Sequence, residues 1–381
     1  MSRAIMDKRI AYIRSSGIFD DSRATKEIRA LSSHGYEIIV IGWDRSGFGE
    51  NKCKEIFNSP NIEFVFFHEI VTGGIGKKGI KKLIGYFEFV KRELIRRKDS
   101  LFAVHACDLD GSLGAYRFCK KNNIPLVYDI YDYYIDSHSI PRLLMNTVER
   151  MEINVINQAA CTIICTEERR AQIAKSKPKD IRVIYNSPDI EENDDRISDI
   201  KYDYVYCGAF EERRLIEEIL DNYEQHRQFR FVFAGSGKYD EKAKEIANYP
   251  NFSFLGRISY DTVIEIEKQS LVISAIYEPT VRNHVLCAPN KFYEALALGK
   301  PVIVCKGTGI DKVVAQHRIG RVIEYSADQF YEALESLLQD KNELENISVR
   351  AKKLYQTTYR WKLMEERLCL IYDNIVENMN G

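Results

Sequence analysis

The chain has 381 residues, 45% of them hydrophobic and 29% charged, with a formal net charge of −1. That is room for two domains with cores of their own at about 150 residues each, and the balanced charge argues against a nucleic-acid binder. The nine cysteines form no CxxC pair and no metal-type spacing, residues 1–8 lack the apolar core of a signal peptide, and no run reaches the ~18 apolar residues of a membrane span; reduced thiols, no metal centre and a cytoplasmic protein are the expectation.

The spacing predicts a strand over 9–13, the turn Arg14-Ser15-Ser16-Gly17, a helix over 22–33 and a second strand over 37–42, one βαβ unit. Gly17 allows a ligand to approach the backbone closely, although a single glycine is not a G-x-G-x-x-G fingerprint. Residues 73–99 are strongly basic: Lys77, Lys78, Lys81, Lys82, Lys91, Arg92, Arg96, Arg97 and Lys98 stand against Glu88, Glu93 and Asp99. Ile80, Leu83, Ile84, Tyr86, Phe87, Phe89, Val90, Leu94 and Ile95 lie between them. The pattern fits a basic amphipathic helix on an anionic membrane surface, with Lys77, Lys78, Lys81, Lys82, Lys91 and Arg92 facing it. It fits equally a core-facing helix with a solvated basic face. A nucleic-acid groove is the weakest of the three readings.

A strand over 101–105 leads into Cys107, Asp108 and Asp110, and the strand within 124–132 ends at Asp129 and Asp132. Carboxylates at the C-terminal ends of strands stand where open α/β sheets bind ligands. Four of them could hold a metal, but N-capping and loop filling account for at least two. A helix over 143–158, a strand over 160–166 with a helix start at Thr166-Glu167-Glu168, and a strand over 181–185 complete the first half.

The polar, acidic stretch 191–201 reads as a linker. The second half restarts with a strand over 202–206, then Cys207-Gly208-Ala209-Phe210-Glu211-Glu212-Arg213-Arg214 and a helix from 215. Arginine suits bidentate phosphate binding; the alternative is surface pairing with Glu217 or Glu218, worth under ~1 kcal/mol. A strand over 229–234 is followed by Gly235-Ser236-Gly237, where backbone can approach a phosphate or a base. Strands over 252–255 and 271–276 end at Gly256-Arg257 and Tyr277-Glu278-Pro279. Each turn falls at the same sheet edge, the mark of a second doubly wound domain. Last comes Pro289 to Val304: a helix of good formers, a Gly299 stop, Pro301, and the buried strand Val302-Ile303-Val304. The N-terminus of that helix would aim free N–H groups at an anion.

The segment Asn290-Lys291-x-x-Glu294-Ala295-Leu296-Ala297-x-Gly299-x-Pro301-Val302-Ile303 resembles the donor-site segment of GT-B glycosyltransferases of the family-four, retaining type. The resemblance implies an α/β protein of GT-B class, two Rossmann-like doubly wound domains facing a cleft. It implies an acceptor-side domain over 1–190, the linker 191–201, a nucleotide-sugar domain over 202–360 and a terminal helix over 361–381 crossing back to the first. Glu294 then holds the ribose, with Asn290, Lys291, Gly17, Gly208, Gly235, Gly237 and Arg257 around the donor. The family usually carries an Arg directly after the Gly208 position, but Ala209 stands here, so Arg213 or Arg214 takes the diphosphate. The first glutamate of the family's pair falls on Leu286; Glu278 is the displaced candidate, and Arg282 in the same loop can contact sugar or diphosphate. His105-Ala106-Cys107-Asp108 is similar to the family's His-Ala-x-Asp segment, many relatives having His at the Cys107 position, and makes Asp108 the catalytic candidate, orienting donor sugar or acceptor.

The expected reaction moves a sugar from a nucleotide-sugar, UDP being the expected carrier, to a hydroxyl of a glycan or lipid-linked acceptor in polysaccharide or glycoconjugate synthesis. No metal or other cofactor is expected. Rivals of other kinds are a UDP-sugar 2-epimerase of the same fold and a non-catalytic nucleotide-sugar-binding protein.

Overall fold

The computed structural model describes residues 9–18, 21–47, 49–70, 79–190 and 199–380. Lys77, Lys78 and most of the expected linker lie outside these. The described chain forms two α/β units: one runs to Tyr185 and takes up the chain again from Met364, the other spans Asn186–Leu363.

The first unit holds β1 (Arg9–Arg14), β2 (Glu37–Asp44), β3 (Ile62–His68), β4 (Leu101–Cys107), β5 (Leu126–Ile130), β6 (Cys161–Ile164) and β7 (Ile181–Val183). They pair in parallel in the order β3-β2-β1-β4-β5-β6-β7. Ile10 to Ile13, Ile38 to Ile41 and Leu126 to Ile130 are buried throughout, as strands covered by helices on both faces must be. The returning helix Trp361–Asn380 is the last cover: Leu368, Ile371 and Tyr372 are buried, and the Tyr372 hydroxyl meets His105 Nδ1 at 2.7 Å.

The basic segment is an 18-residue helix, Gly79–Arg96. Its inner face is Tyr86, Phe89, Val90 and Leu94, all buried in the first unit's core. The core-facing reading therefore describes this face. Lys81, Lys91, Arg92 and Arg96 project outward together with two exposed isoleucines, Ile84 and Ile95. Lys82 is committed elsewhere: its Nζ donates to the Ile70 carbonyl at 2.6 Å and lies 3.3 Å from Glu69. No helix among the described residues is long and apolar enough to cross a membrane.

The second unit holds β8 (Tyr202–Phe210), β9 (Phe231–Gly237), β10 (Phe252–Phe254), β11 (Ser270–Ala275), β12 (Val302–Cys305) and β13 (Gly320–Ile323). They are parallel in the order β10-β9-β8-β11-β12-β13. Aromatic rings fill one face: Tyr204, Phe231, Phe233, Phe330 and Tyr331 pack edge-on or stacked, in the offset geometries that ring quadrupoles favour. In both sheets the strand order reverses beside the first strand, β1 against β4 and β8 against β11. The C-terminal ends of those strand pairs open the crevices where such sheets bind ligands.

Candidate functional site

At the reversal in the second unit, β8 and β9 place Gly208 opposite Gly235. Gly235 has φ +141°, and a methyl group there would sit 1.8 Å from the Gly208 carbonyl oxygen. Only a residue without Cβ fits. Gly208, at φ +149°, faces a different neighbour: a Cβ would stand 3.0 Å from Lys291 Nζ.

Lys291 belongs to the first turn of the helix Asn290–Leu298, which starts after Pro289 with no side-chain cap and ends at Gly299 in the left-handed conformation, φ +66°. The Lys291 side chain is 8% exposed. Its ammonium lies 4.6 Å from the Tyr206 ring centre and 6.0 Å from that of Tyr277. Among the described residues it makes no ion pair with a carboxylate; aromatic faces are its nearest partners. Arg214 reaches the same tyrosine, its guanidinium 4.9 Å over the Tyr277 ring and Nη1 donating to the Tyr277 hydroxyl at 3.1 Å. Two cations thus converge on one aromatic ring beside a glycine.

Arg214 pairs with Glu211, not with Glu217 or Glu218. The reason is local: Arg213 and Leu215 are both left-handed, at φ +66° and +60°, so the helix starts only at Ile216 and Arg214 stays in the turn. Arg213 is 57% exposed; its carbonyl accepts the Glu278 N–H at 2.9 Å and its Nε lies 3.8 Å from the Glu278 carboxylate. Glu278 is therefore brought to the arginine turn, where it also accepts the Thr280 hydroxyl at 2.6 Å. Arg282 opens a four-residue helix, Arg282–Val285, and is exposed. Leu286, at the expected place of the first glutamate, ends that helix half-buried.

The Gly235 and Gly237 amides are engaged by the chain itself, the first by the Gly256 carbonyl and the second by Asp240, each at 2.7 Å. Close approach is what these glycines still offer a ligand. Arg257 laces the same loops through Ser236 Oγ at 2.6 Å. Asn290 is exposed at the helix start, whereas Glu294, one turn on, is 3% exposed and hydrogen-bonded by the Tyr260 hydroxyl.

In the first unit, Gly17 follows β1 and is half-buried. Asp108 is left-handed at φ +57°, and its Oδ1 accepts the N–H groups of Tyr131 and Asp132 at 2.9 and 3.1 Å. Burial pushes its carboxyl up to about 8, opposed by Arg14 3.9 Å away and helped by Asp110 and Asp132. The other three carboxylates are also taken by the chain. Asp110 accepts Ser15, Asp132 pairs with Arg169 at 3.1 Å, and Asp129 pairs with Arg23 at 2.7 Å. Each of the four therefore has a partner within the chain; for Asp129 and Asp132 it is an arginine and not a helix N-terminus.

One cluster was not legible in the sequence. His105, Cys107 and Asp129 are buried with their ligand atoms within 4.8 Å of one another. His105 and Cys107 share a face of β4 by the period of two, and Cys107 is in register with Asp129 of β5. Arg23, already bound to Asp129, supplies positive charge there. The i,i+4 pair Arg23–Glu27 was the available signal; its partners lie on two other strands.

Residues 189–354 match the family model of glycosyl transferases, group 1. The chain carries a group 1 glycosyl transferase domain. That domain contains every element of the second unit's site, from Gly208 to Glu294. Solved structures of similar fold extend over the whole chain. A sucrose-phosphate synthase from Thermosynechococcus elongatus superposes with a TM-score of 0.71 at 15% identity, covering 97% of this chain and 99% of that one. HepE of Anabaena, solved with UDP and glucose, gives 0.67 at 16% identity, covering 98% and 99%. WaaG, a glycosyltransferase involved in lipopolysaccharide biosynthesis, gives 0.64 at 14%, covering 95% and 99%. The fold around the group 1 domain is accordingly GT-B. A curated relative, spore coat protein SA of Bacillus subtilis, is 23% identical over 176 residues, 42% of this chain and 44% of that protein; the matched stretch is under half of either.

Proposed function

We propose that the chain is a retaining glycosyltransferase that moves a sugar from a UDP-sugar to a hydroxyl of a glycan or lipid-linked acceptor. The observation that carries this is Lys291, a buried ammonium with three donors and no contact ion pair among the described residues, poised over Gly208 at the point where the sheet order reverses. A buried cation is costly unless its donors are taken up by an anion; a diphosphate supplies one at contact distance. In the reaction the bond from the sugar's anomeric carbon to the diphosphate oxygen breaks, the electron pair leaving with the diphosphate, while the acceptor oxygen forms its bond to that carbon and the hydroxyl proton passes to the departing diphosphate. Lys291 and Arg214 oppose that developing charge, and the uncapped start of Asn290–Leu298 adds N–H donors. These groups supply the charge in the proposal without a metal. Glu294 accepts the ribose hydroxyls, and Asp108 orients donor sugar or acceptor. The complex of HepE with UDP-glucose supports the choice of carrier. The lipopolysaccharide role of WaaG and the spore-coat relative support a cell-surface product.

The test is calorimetry with UDP, followed by turnover of candidate UDP-sugars with and without a lipid-linked acceptor. Glu294→Ala is expected to weaken UDP binding about ten- to a hundredfold, the loss of a hydrogen bond to a charged group. Unchanged affinity would remove the ribose role, and absence of UDP binding to the wild type would remove the proposal.

Peripheral membrane contact belongs to the same proposal. The outer face of Gly79–Arg96 sets Ile84 and Ile95 among Lys81, Lys91, Arg92 and Arg96. A basic residue at an anionic surface contributes about 1 kcal/mol. Co-sedimentation with anionic vesicles should therefore drop at least ~tenfold in the Lys91→Glu/Arg92→Glu variant. Equal binding to anionic and neutral vesicles would count against it.

A further inference from the structure

Behind Glu294 lies a second carboxyl group. Glu267, on the helix Tyr260–Lys268, is 0% exposed, and neither of its carboxyl oxygens meets a hydrogen-bond donor among the described residues. That helix packs against Asn290–Leu298. Tyr260, at its first turn, hydrogen-bonds the Glu294 carboxylate. An ionised carboxylate with no donor is strongly disfavoured in such a place. Glu267 is therefore held as the acid, and a buried O–H in turn needs an acceptor. The groups that act on it electrostatically are Glu294 and Lys291 on the neighbouring helix, Cys207 on β8 and Tyr260 on its own helix, with Tyr355 beyond as a neighbour of Tyr260.

We propose that Glu267 is a positioning residue whose carboxylic acid donates a hydrogen bond to Glu294 and fixes that carboxylate for the two hydroxyls of the nucleotide's ribose. The inference rests on the donor-site reading of Glu294 given above. Two carboxyl groups share one proton, and the single remaining negative charge is the one Lys291 faces. Burial and the charge of Glu294 both push the Glu267 carboxyl up, against the pull of Lys291. This matches the general behaviour of paired carboxyls, which cannot both ionise at close range. A consequence is that alkaline pH strips the proton, sets two buried anions against each other and releases Glu294 from its orientation.

The experiment is UDP titration of the full chain from about pH 6 to about pH 9, for wild type, Glu267→Gln, Glu267→Leu and Glu294→Ala. Glutamine keeps a donor to Glu294 but cannot titrate. Wild-type affinity is expected to fall toward alkaline pH about tenfold more than that of Glu267→Gln, and Glu267→Leu to bind about tenfold more weakly near neutrality, the effect of one hydrogen bond to a charged group. The melting temperature gives an independent readout. A carboxyl whose value is raised on folding contributes stability below its unfolded value and loses it as pH rises through the folded one. Glu267→Gln should therefore gain on wild type in melting temperature as pH rises. Identical pH slopes in wild type and Glu267→Gln, or wild-type UDP affinity in Glu267→Leu, overturns the proposal. If Glu294→Ala binds UDP normally, the donor reading fails instead. The shared proton then stands or falls on a protonated-carboxyl infrared band, present in wild type and lost in Glu267→Gln.

Discussion

Replacing Lys291 by methionine is expected to lower donor turnover by at least about a hundredfold, while leaving the fold intact. Methionine keeps the aliphatic stem between Tyr206 and Tyr277 and removes only the ammonium. Removal of a single donor aimed at developing charge typically costs two to three orders of magnitude in rate. The free protein should change far less: the ammonium, at 8% exposure, makes no contact ion pair among the described residues and feels Glu294 only through space, so the variant should melt within about 5 °C of the wild type. UDP should raise the melting temperature of the wild type and fail to raise that of the variant, since a ligand stabilises only what binds it. Steady-state kinetics and a thermal-shift series with UDP check both halves. Wild-type turnover in Lys291→Met would sink the assignment of this ammonium to the diphosphate.

The largest expected effect on stability lies in the first unit. Arg23 joins Glu27 at 2.9 Å and Asp129 at 2.7 Å, and donates to the Ile184 carbonyl at 2.8 Å. Its side chain is 5% exposed, and those of Glu27 and Asp129 are fully buried. Burial, then the Asp129 charge, raises the Glu27 carboxyl to about 7 even with Arg23 and His105 opposing. Arg23→Ala leaves two buried carboxylates against one histidine. Breaking a buried pair this way costs about 3–5 kcal/mol. The sign of the pH dependence follows. Without Arg23 the Glu27 carboxyl rises further above its unfolded value, and Asp129, now held below the usual carboxylate range by Arg23 and His105, loses the larger part of that pull. The variant should then be least stable at alkaline pH and recover part of the loss toward about pH 5. Chemical denaturation at several pH values, read by amide exchange in the strands of the first unit, checks this. A uniform loss across pH would mean that packing, not charge, is what Arg23 supplies.

Much of the architecture was legible in the residues because its signals are local. The buried apolar runs, the helix starts and Gly299 after Leu298 each depend on a few neighbours. The helix Asn290–Leu298 and the strand after it fall where the residues place them. The site was less legible because its decisive facts are relations across strands. Nothing in the order of residues says that a methyl on Gly235 would strike the Gly208 carbonyl, or that Lys291 would be buried against tyrosine rings without a contact ion pair. The partner of Arg214 shows the same limit. Reading a helix through 215 put it within reach of Glu217 and Glu218, but two left-handed residues turn the chain and give it Glu211. Glu267 is one charge among several along the helix Tyr260–Lys268, and only its burial sets it apart.

The return of the chain at Met364 has a consequence for synthesis. The first unit's sheet is complete in the nascent polypeptide by Tyr185, yet the helix that carries Tyr372 to His105 does not exist until the whole second unit, Asn186–Leu363, has been translated. At ~5–20 residues per second the interval is on the order of ten to forty seconds. Throughout it, the surface later covered by Leu368 and Ile371 is bare to water or to a chaperone. Ribosome-stalled chains ending before this helix should accordingly be far more protease-sensitive in their first half than the finished protein, although every strand of that half has already been made.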